Sequence, residues 1–478
     1  MDTATLALIG LVIIVAGLLS GVVERTRFPQ VALFLLLGLI IGVYGFGLVD
    51  FRIDSRILES IATLGLVLVL FTDAVGIDIA EVKRHRSLVR LVLGPGTIVT
   101  AALIAFAAWA LLGLAPGPAA ILGAALASTD PVMMRGLLRS GNVPAAARQV
   151  LALESGLNDL VLLPIVLGAM AVLKGSGEGG GWGRAALNLF VVGPGAGIAV
   201  GFVGVALLDR ARRLVGVRRD YESLYALGLA FTAYAVAEAA HGSGFLASFA
   251  AGLTIAASDA ELCDCFLDVG QAAAEMFLLF TFVAFGSSLI WTGLSGITAP
   301  GLAFAVLALV LRSAVLAVAL PKKGLDPRSR RLIIWFGPRG LSTLLLVLLP
   351  VFAGVAGADK LFAPAALVVL LSVVGHGGAL MLGRRSSSGG RALPLIPEAA
   401  PPADPSPGER RDRMTLAELK ELQARGEQVV LLDVRKDRAW NESEEKAKGA
   451  IRLHPDGAAR RGAELALPRS AWLVAYCA

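Results

Sequence analysis

Long apolar runs constrain the fold of this 478-residue chain more than any other feature. They recur between residues 4 and 383, and each is long enough for a helix to cross about 30 Å of hydrocarbon. Hydrophobic residues make up 56% of the chain and charged residues 17%, against roughly 25% charged residues in soluble domains. The sequence therefore predicts an all-α polytopic membrane protein.

About thirteen transmembrane helices are predicted from the hydrophobic pattern. Their approximate bounds are 4–23, 31–49, 57–77, 88–113, 118–138, 150–173, 184–208, 222–241, 243–258, 266–290, 298–320, 331–354 and 361–383. Lys and Arg concentrate in alternate connections, such as EVKRHR and PKKGLDPRSRR, so the net charge of +6 does not indicate nucleic-acid binding. The positive-inside rule predicts a multi-pass protein of the cell (inner) membrane, with its N-terminus outside and its C-terminus in the cytoplasm.

The composition changes after Gly383, which divides the chain into three predicted regions. Residues 1–383 form the membrane domain, and residues 384–412, rich in Pro, Ser and Gly, read as a flexible linker. Residues 413–478 contain a helical stretch, MTLAELKELQARG, followed by the strand patterns QVVLLDVR and AWLVAYCA. The last region is predicted to be a small cytoplasmic α/β segment.

The stretch ESGLNDL in span six places several polar residues inside an apolar run. A charge at the bilayer centre costs roughly 2.5 to 3.5 kcal/mol, so such residues are functional candidates. Helical spacing puts Glu154, Ser155, Asn158 and Asp159 on one face suited to a water-filled cavity, with Asp159 near the midplane. The alternative is that these side chains only join helices by hydrogen bonds.

The stretch ALASTDPVMM predicts that span five is interrupted. Pro131 removes a backbone donor, which frees carbonyl groups near Ala127. Together with Thr129 and Asp130 these carbonyls would supply oxygen ligands at membrane depth, as broken helices do in transporters. A simple proline kink is the alternative, but it would leave Asp130 unexplained.

Two further polar features lie in spans eleven and twelve. Arg312 is a lone guanidinium in an apolar run and needs a buried partner, for which Glu154 is the best candidate. A second helix breaker with a charge occurs in span twelve and consists of Gly337, Pro338, Arg339 and Gly340. Six spans separate the two broken segments, an arrangement that suits inverted repeats.

Asp73, at the cytoplasmic end of span three, is either an ion-path residue or an ordinary interfacial charge. The chain has three cysteines, which gives no disulfide framework. Cys263 and Cys265, two residues apart on a helix with no histidine near, are not expected to hold a metal.

In their order along the chain, these motifs resemble the cation:proton antiporter family in its NhaP/NHE-like branch. The resemblance covers residues 5–383 and rests on ASTDP, ESGLND, GFLASFAAGL, Arg312 and FGPRG. It implies thirteen spans, a core domain in which two broken helices cross, and a dimerisation domain, hence a homodimer. It implies no cofactor.

The resemblance also assigns roles to individual residues. It implies that Asp159 binds the cation or the proton and that Thr129, Asp130 and Ser155 surround the ion. The adjacent Asn158 and Asp159 resemble the electroneutral branch, because electrogenic relatives carry two aspartates at these positions. Glu154 with Arg312 matches a buried pair of the family, and Asp73 matches a position that is often acidic.

The C-terminal region resembles a rhodanese-like domain through LLDVR, KGAIRL and the strand that leads to Cys477. Cys477 occupies the position of the family's nucleophile. The given chain ends at Ala478, before the loop that cradles the sulfur or anion, so we expect this tail to lack sulfur-transfer activity.

The residues predict exchange of a monovalent cation for a proton. A bare carboxylate is costly in a low dielectric, so Asp159 would cross the membrane only when it carries a proton or a cation. Oxygen ligands suit both Na+ and K+, and the sequence leaves that choice open. A cation channel or an anion transporter, and a membrane-anchored rhodanese-type sulfur or redox sensor, are the alternatives.

Overall fold

The computed structural model divides the chain into two units, Met1–Arg391 and Ala392–Ala478, which are described separately. In the first unit it describes residues 10, 14–15, 18, 30–77, 82, 86–130, 133–134, 143–175, 181–258, 260–321 and 326–385. In the second it describes residues 419, 422, 424–434, 447, 449–453, 465 and 472–476.

The secondary structure of the first unit, among its described residues, is helical. Its helices are α1 Gln30–Ile41, α2 Arg56–Val75, α3 Arg86–Leu91, α4 Ile98–Leu112, α5 Pro116–Ala127, α6 Ala145–Leu173, α7 Gly181–Leu187, α8 Gly193–Leu214, α9 Arg219–Ala239, α10 Gly244–Ser258, α11 Ala260–Ser287, α12 Ala299–Ala319, α13 Pro327–Trp335, α14 Leu341–Phe352 and α15 Phe362–Arg385. Short π-helical turns join α3 to α4 and α7 to α8, and 3₁₀ turns precede α12 and α15.

The helices agree closely with the predicted spans. Among the described residues, seven helical segments are long and apolar enough to cross a membrane, and four shorter ones are apolar. Every predicted span except the first contains a helix, but span two ends at Ile41, where the chain turns, rather than at residue 49. The first predicted span, 4–23, lies mostly outside the described residues, so the count of thirteen stays a prediction.

The helices pack as two bundles. One contains α1, α2 and α8 to α11, and the other contains α4, α5, α6, α12, α14 and α15. In the first bundle, small residues let helices approach closely: Gly197 of α8 lies against the backbone of Ala247 in α10, where a Cβ would clash. Close packing of small residues is how helices associate where lipid removes the hydrophobic driving force between them.

Two membrane segments are interrupted, as the sequence predicts. Helix α5 ends at Ala127, and Ser128 is already extended with φ −63° and ψ 137°. Span twelve is split into α13 and α14, with non-helical residues 336–340 between them. Helix α13 begins after Asp326, whose carboxylate accepts the backbone N–H groups of Arg328 and Ser329 at 2.9 Å. These bonds, with one from the Ser329 hydroxyl, lower the pKa of Asp326.

The second unit contains a three-stranded parallel sheet in the order β2-β1-β3. The strands are β1 Val429–Asp433, β2 Ile451–Arg452 and β3 Trp472–Tyr476. Strands β1 and β3 lie within the two segments that the sequence predicts as strands. The buried Asp433 accepts a 2.6 Å hydrogen bond from the Tyr476 hydroxyl, which joins the carboxyl ends of these two strands. The rhodanese-like identity of this unit stays a prediction, and Cys477 lies outside the described residues.

Candidate functional site

Asp159 lies buried on α6 and faces the break that follows α5. Its side chain is 4% exposed, and its Oδ1 accepts a 2.7 Å hydrogen bond from the hydroxyl of Ser128. Ser128 reaches the carboxylate because the backbone leaves the helix at that residue. The sequence does not single out Ser128, since nothing local distinguishes its hydroxyl from that of Thr129.

Asn158 holds Thr129, the residue that follows Ser128, by hydrogen bonding. Its Nδ2 donates to the Thr129 hydroxyl at 2.8 Å and lies 3.4 Å from the Thr129 carbonyl. Its Oδ1 is buried and has no hydrogen-bond partner among the described residues. Asn158 therefore ties α6 to the broken segment and leaves an amide oxygen unused beside Asp159.

The two broken segments meet and bond to one another through Asp130. Its backbone N–H donates to the Pro338 carbonyl at 2.9 Å, and its Oδ2 accepts the Leu341 N–H at 2.7 Å. Leu341 is the first residue of α14, so the carboxylate stabilises the amino end of that helix. Gly340 is required here, because a Cβ at this position would overlap the Asp130 carboxylate.

Arg339 makes the reciprocal contact. Its Nη1 donates to the carbonyls of Ala127 at 2.6 Å and of Ser128 at 2.8 Å, at the carboxyl end of α5. A positive charge is favourable at that end, where helix carbonyls are left unsatisfied. Each break thus supplies the charged cap of a helix in the other, and the extended strand that carries Ser128 is held from both sides.

Glu154 and Arg312 form the buried pair that the sequence predicts. The carboxylate accepts Arg312 Nε at 2.8 Å and Nη2 at 2.6 Å, and both side chains are under 5% exposed. Arg312 Nη1 also donates to the carbonyls of Ile333 and Ile334 at 3.2 and 3.3 Å, near the carboxyl end of α13. Gly337 makes room for this guanidinium, since a Cβ there would clash with it. The pair joins α6, α12 and α13.

The remaining predicted residues are less completely defined. The Ser155 hydroxyl is buried and donates to the Ala152 carbonyl of its own helix at 3.1 Å. Asp73 is half-buried in the last turn of α2. Pro131 lies outside the described residues, although the helix before it ends as expected. The ion-site role of Ser155 and the ion-path role of Asp73 stay predictions.

Comparison with known proteins decides the family. Residues 10–382 match the family model described as sodium/hydrogen exchanger, transmembrane, which is most of the chain. The chain belongs to the sodium/hydrogen exchanger family. This confirms the coarse resemblance read from the motifs and makes the chain a member of a family of secondary transporters, not enzymes.

Curated relatives of this exchanger-family chain are bacterial. It is 26% identical over 383 residues to the K(+)/H(+) antiporter NhaP of Alkalimonas amylolytica and 28% identical over 382 residues to the K(+)/H(+) antiporter NhaP2 of Shewanella sp. (strain MR-4). Each match covers 78% of this chain and 65% of the relative, so the chain spans under two thirds of the length of these relatives.

A solved structure shares the fold. The sodium proton antiporter MjNhaP1 from Methanocaldococcus jannaschii, in a structure at pH 8, aligns with a TM-score of 0.65 over 78% of this chain and 98% of that one, at 20% identity. At that identity the likeness shows the fold alone. The antiporter fold of the exchanger-family chain is therefore established independently of any single motif.

A cavity of about 600 Å³ opens between the two bundles. It is lined by residues near the start of α2, the ends of α6, α9 and α14, and the α7–α8 junction, including Glu59, Met170, Glu238 and Phe352. Because successive spans alternate in direction, these helix ends lie on one side of the membrane. Two carboxylates, those of Glu59 and Glu238, therefore line a largely apolar cavity on that side.

Replacing Ser128 with Ala is expected to weaken cation binding at Asp159. The variant loses a hydroxyl that contacts the Asp159 carboxylate, and a hydrogen bond to a charged group contributes roughly 1.5 to 3 kcal/mol. We expect the KM for the cation to rise about tenfold or more, measured from cation-driven proton flux in proteoliposomes.

Ser155→Ala is the matched control for that variant. It removes a buried hydroxyl on α6 that bonds to its own helix rather than to Asp159. We expect a smaller change in KM than for Ser128→Ala. An equal or larger effect of Ser155→Ala would contradict the assignment of Ser128 as the closer partner.

Proposed function

We propose that this chain exchanges a monovalent cation, Na+ or K+, for a proton across the membrane. One observation carries the proposal. Two carboxylates lie close together on α6, and Glu154 is permanently paired with Arg312. Among the described residues, no basic side chain pairs with Asp159, which has only the Ser128 hydroxyl. A buried carboxylate without a fixed counter-charge needs a mobile one.

A proton and a cation compete for that carboxylate. An unloaded Asp159 would be an uncompensated charge in a low dielectric, which is costly. Either ligand removes this cost, so the site can move between the two faces of the membrane only when it is occupied. The result is obligatory exchange of one cation for one proton without a separate gate.

The surroundings of Asp159 support a monovalent metal cation as the second ligand. The break supplies the Ser128 and Thr129 oxygens, and Asn158 brings an unused amide oxygen. Oxygen dipoles of this kind replace the hydration shell of such ions. The bacterial relatives are named K(+)/H(+) antiporters, and the structural neighbour is named a sodium proton antiporter, which supports both cations as candidates.

Electroneutral exchange is the proposed stoichiometry. Asn158 stands beside Asp159 as an uncharged residue and bonds to Thr129, so a second acid is not supplied at that position. One carboxylate that carries either one proton or one monovalent cation moves no net charge over a full cycle. A cation channel, in contrast, would pass current.

The family resemblance also supports a proposal for the oligomeric state, the membrane and the orientation of the chain in it. We propose a homodimer in the cell (inner) membrane, surrounded by lipid, with the N-terminus outside and the C-terminus in the cytoplasm. The exposed apolar side chains of α8, such as Ile198, Phe202 and Leu207, suit a surface that faces lipid or a second copy.

Transport in proteoliposomes tests the function. We expect dissipation of an acid-inside pH gradient on addition of Na+ or K+ but not of choline, because choline is too large for the site. Clamping the membrane potential with an independent ionophore should leave the rate unchanged. A rate that follows the membrane potential, or a cation current in the absence of a pH gradient, would contradict electroneutral exchange.

A further inference from the structure

His376 lies on α15 beside the break in span twelve, outside the group of residues around Asp159. Its half-buried ring meets Phe336 edge-on at 5.7 Å between centroids and lies 6.2 Å from the Trp335 ring. Both aromatic residues belong to the end of α13 and the start of the break. A titratable ring therefore packs directly on the segment that carries Arg339.

Ser372, one turn earlier on α15, connects this ring to the break. Its hydroxyl oxygen accepts the backbone N–H of Arg339 at 2.7 Å and lies 3.2 Å from His376 Nδ1. With a neutral imidazole, the Ser372 hydroxyl donates to Nδ1 while it accepts from Arg339. The chain of bonds from His376 to the Arg339 backbone is then complete.

Protonation of the ring reverses one of these bonds. A protonated imidazole has no acceptor, so Nδ1 must donate, and the Ser372 carbonyl lies 3.3 Å away. The Ser372 hydroxyl then loses its acceptor. The hydroxyl oxygen can still accept the Arg339 N–H, but its orientation is no longer fixed by a bond to the ring.

Protonation also adds a positive charge where guanidinium groups are already close. The charged groups that act on the ring are Arg339 of the break and Arg312 of α12, and Arg312 is neutralised by Glu154 of α6. Of the other described elements packed on α15, the helices α5 and α14 and the 3₁₀ turn before α12 contain no charged residue, and the 3₁₀ turn before α15 carries Asp359 and Lys360 at the far end of α15 from the ring. The new charge therefore repels Arg339.

We propose that His376 is a positioning residue that slows exchange at acid pH. When protonated, it weakens the hydrogen bonds that Arg339 donates to the carbonyls at the end of α5. Arg339 donates to the carbonyl of Ser128, and the Ser128 hydroxyl donates to Asp159, so the effect passes from Arg339 to the ion site through these two contacts. The inference rests on the proposed cation/proton exchange.

The test separates this effect from simple competition between protons and cations. Competition at Asp159 raises the KM for the cation at acid pH but disappears at saturating cation. Loosening of the break lowers kcat even at saturation. We expect kcat of the wild type to fall about tenfold once the His376 ring is protonated at acid pH, and kcat of His376→Gln to change by about twofold or less over the same pH range.

His241→Gln is the matched control, because it removes an exposed histidine after α9 and should keep the acid fall in kcat. Should His376→Gln fail to fold, His376→Asn removes the same titratable ring and should also flatten the profile. An identical fall of kcat in the wild type and in these variants would overturn the role of His376. Absence of cation/proton exchange in the wild type at every pH would instead overturn the proposed function.

Discussion

Asp159→Asn is expected to abolish cation-dependent proton exchange while the protein still folds. The amide keeps the size of the side chain and can still accept a hydrogen bond from Ser128, but it holds neither a proton nor a cation in exchange for the other. Because the variant also removes an uncompensated buried charge, its stability should equal or exceed that of the wild type. Proton flux in proteoliposomes and thermal melting in detergent measure the two effects.

Asp54→Asn provides the control for that result. Asp54 lies in an exposed pair with Arg52, with side chains that are 70% and 78% exposed, so its loss should change neither transport nor melting. Exchange that survives in Asp159→Asn would show that another group carries the proton and would remove the basis of the proposed mechanism.

Breaking the pair between Glu154 and Arg312 is expected to give the largest loss of stability. Removal of one partner leaves an unpaired charge in the membrane interior and costs roughly 3 to 5 kcal/mol. Arg312→Ala additionally frees the Ile333 carbonyl at the end of α13, while the Ile334 carbonyl keeps its 2.9 Å bond from the Ser313 hydroxyl. We therefore expect both Arg312→Ala and Glu154→Ala to melt well below the wild type, and Arg312→Ala to be the less stable of the two.

A double variant separates the charge effect from the loss of packing. Glu154→Gln combined with Arg312→Met removes both charges and keeps most of the volume, so it should melt at a higher temperature than either Glu154→Gln or Arg312→Met alone. Losses that simply add in the double variant would show that the two side chains do not stabilise one another. Wild-type melting of both single variants would contradict the pair outright.

The sequence predicts those parts of the fold that follow from the cost of polar groups in lipid. Apolar runs locate most of the described helices, and a lone Arg312 in such a run demands a buried acid, which Glu154 supplies. The interruptions before Pro131 and at Gly337 to Gly340 are likewise evident, because a proline beside a charged residue inside an apolar run disfavours a continuous helix.

The contacts between the two breaks are not evident from the sequence, because they join residues about 200 positions apart. Asp130 is expected from the sequence to be an ion ligand, yet one of its oxygens is occupied by the first N–H of α14. Arg339 is evident only as part of a helix breaker, and its bond to the end of α5 depends on how the two segments meet. The role of Ser128 likewise depends on how the two broken segments pack against each other.

Proton release on cation binding tests the central claim most directly. Purified protein in weakly buffered detergent solution near neutral pH is titrated with Na+ or K+, and the released protons are followed with a pH-sensitive dye. The account predicts release in proportion to bound cation for the wild type and no release for Asp159→Asn. Cation binding without proton release in the wild type, or equal release in the variant, would contradict competition of the two ions for Asp159.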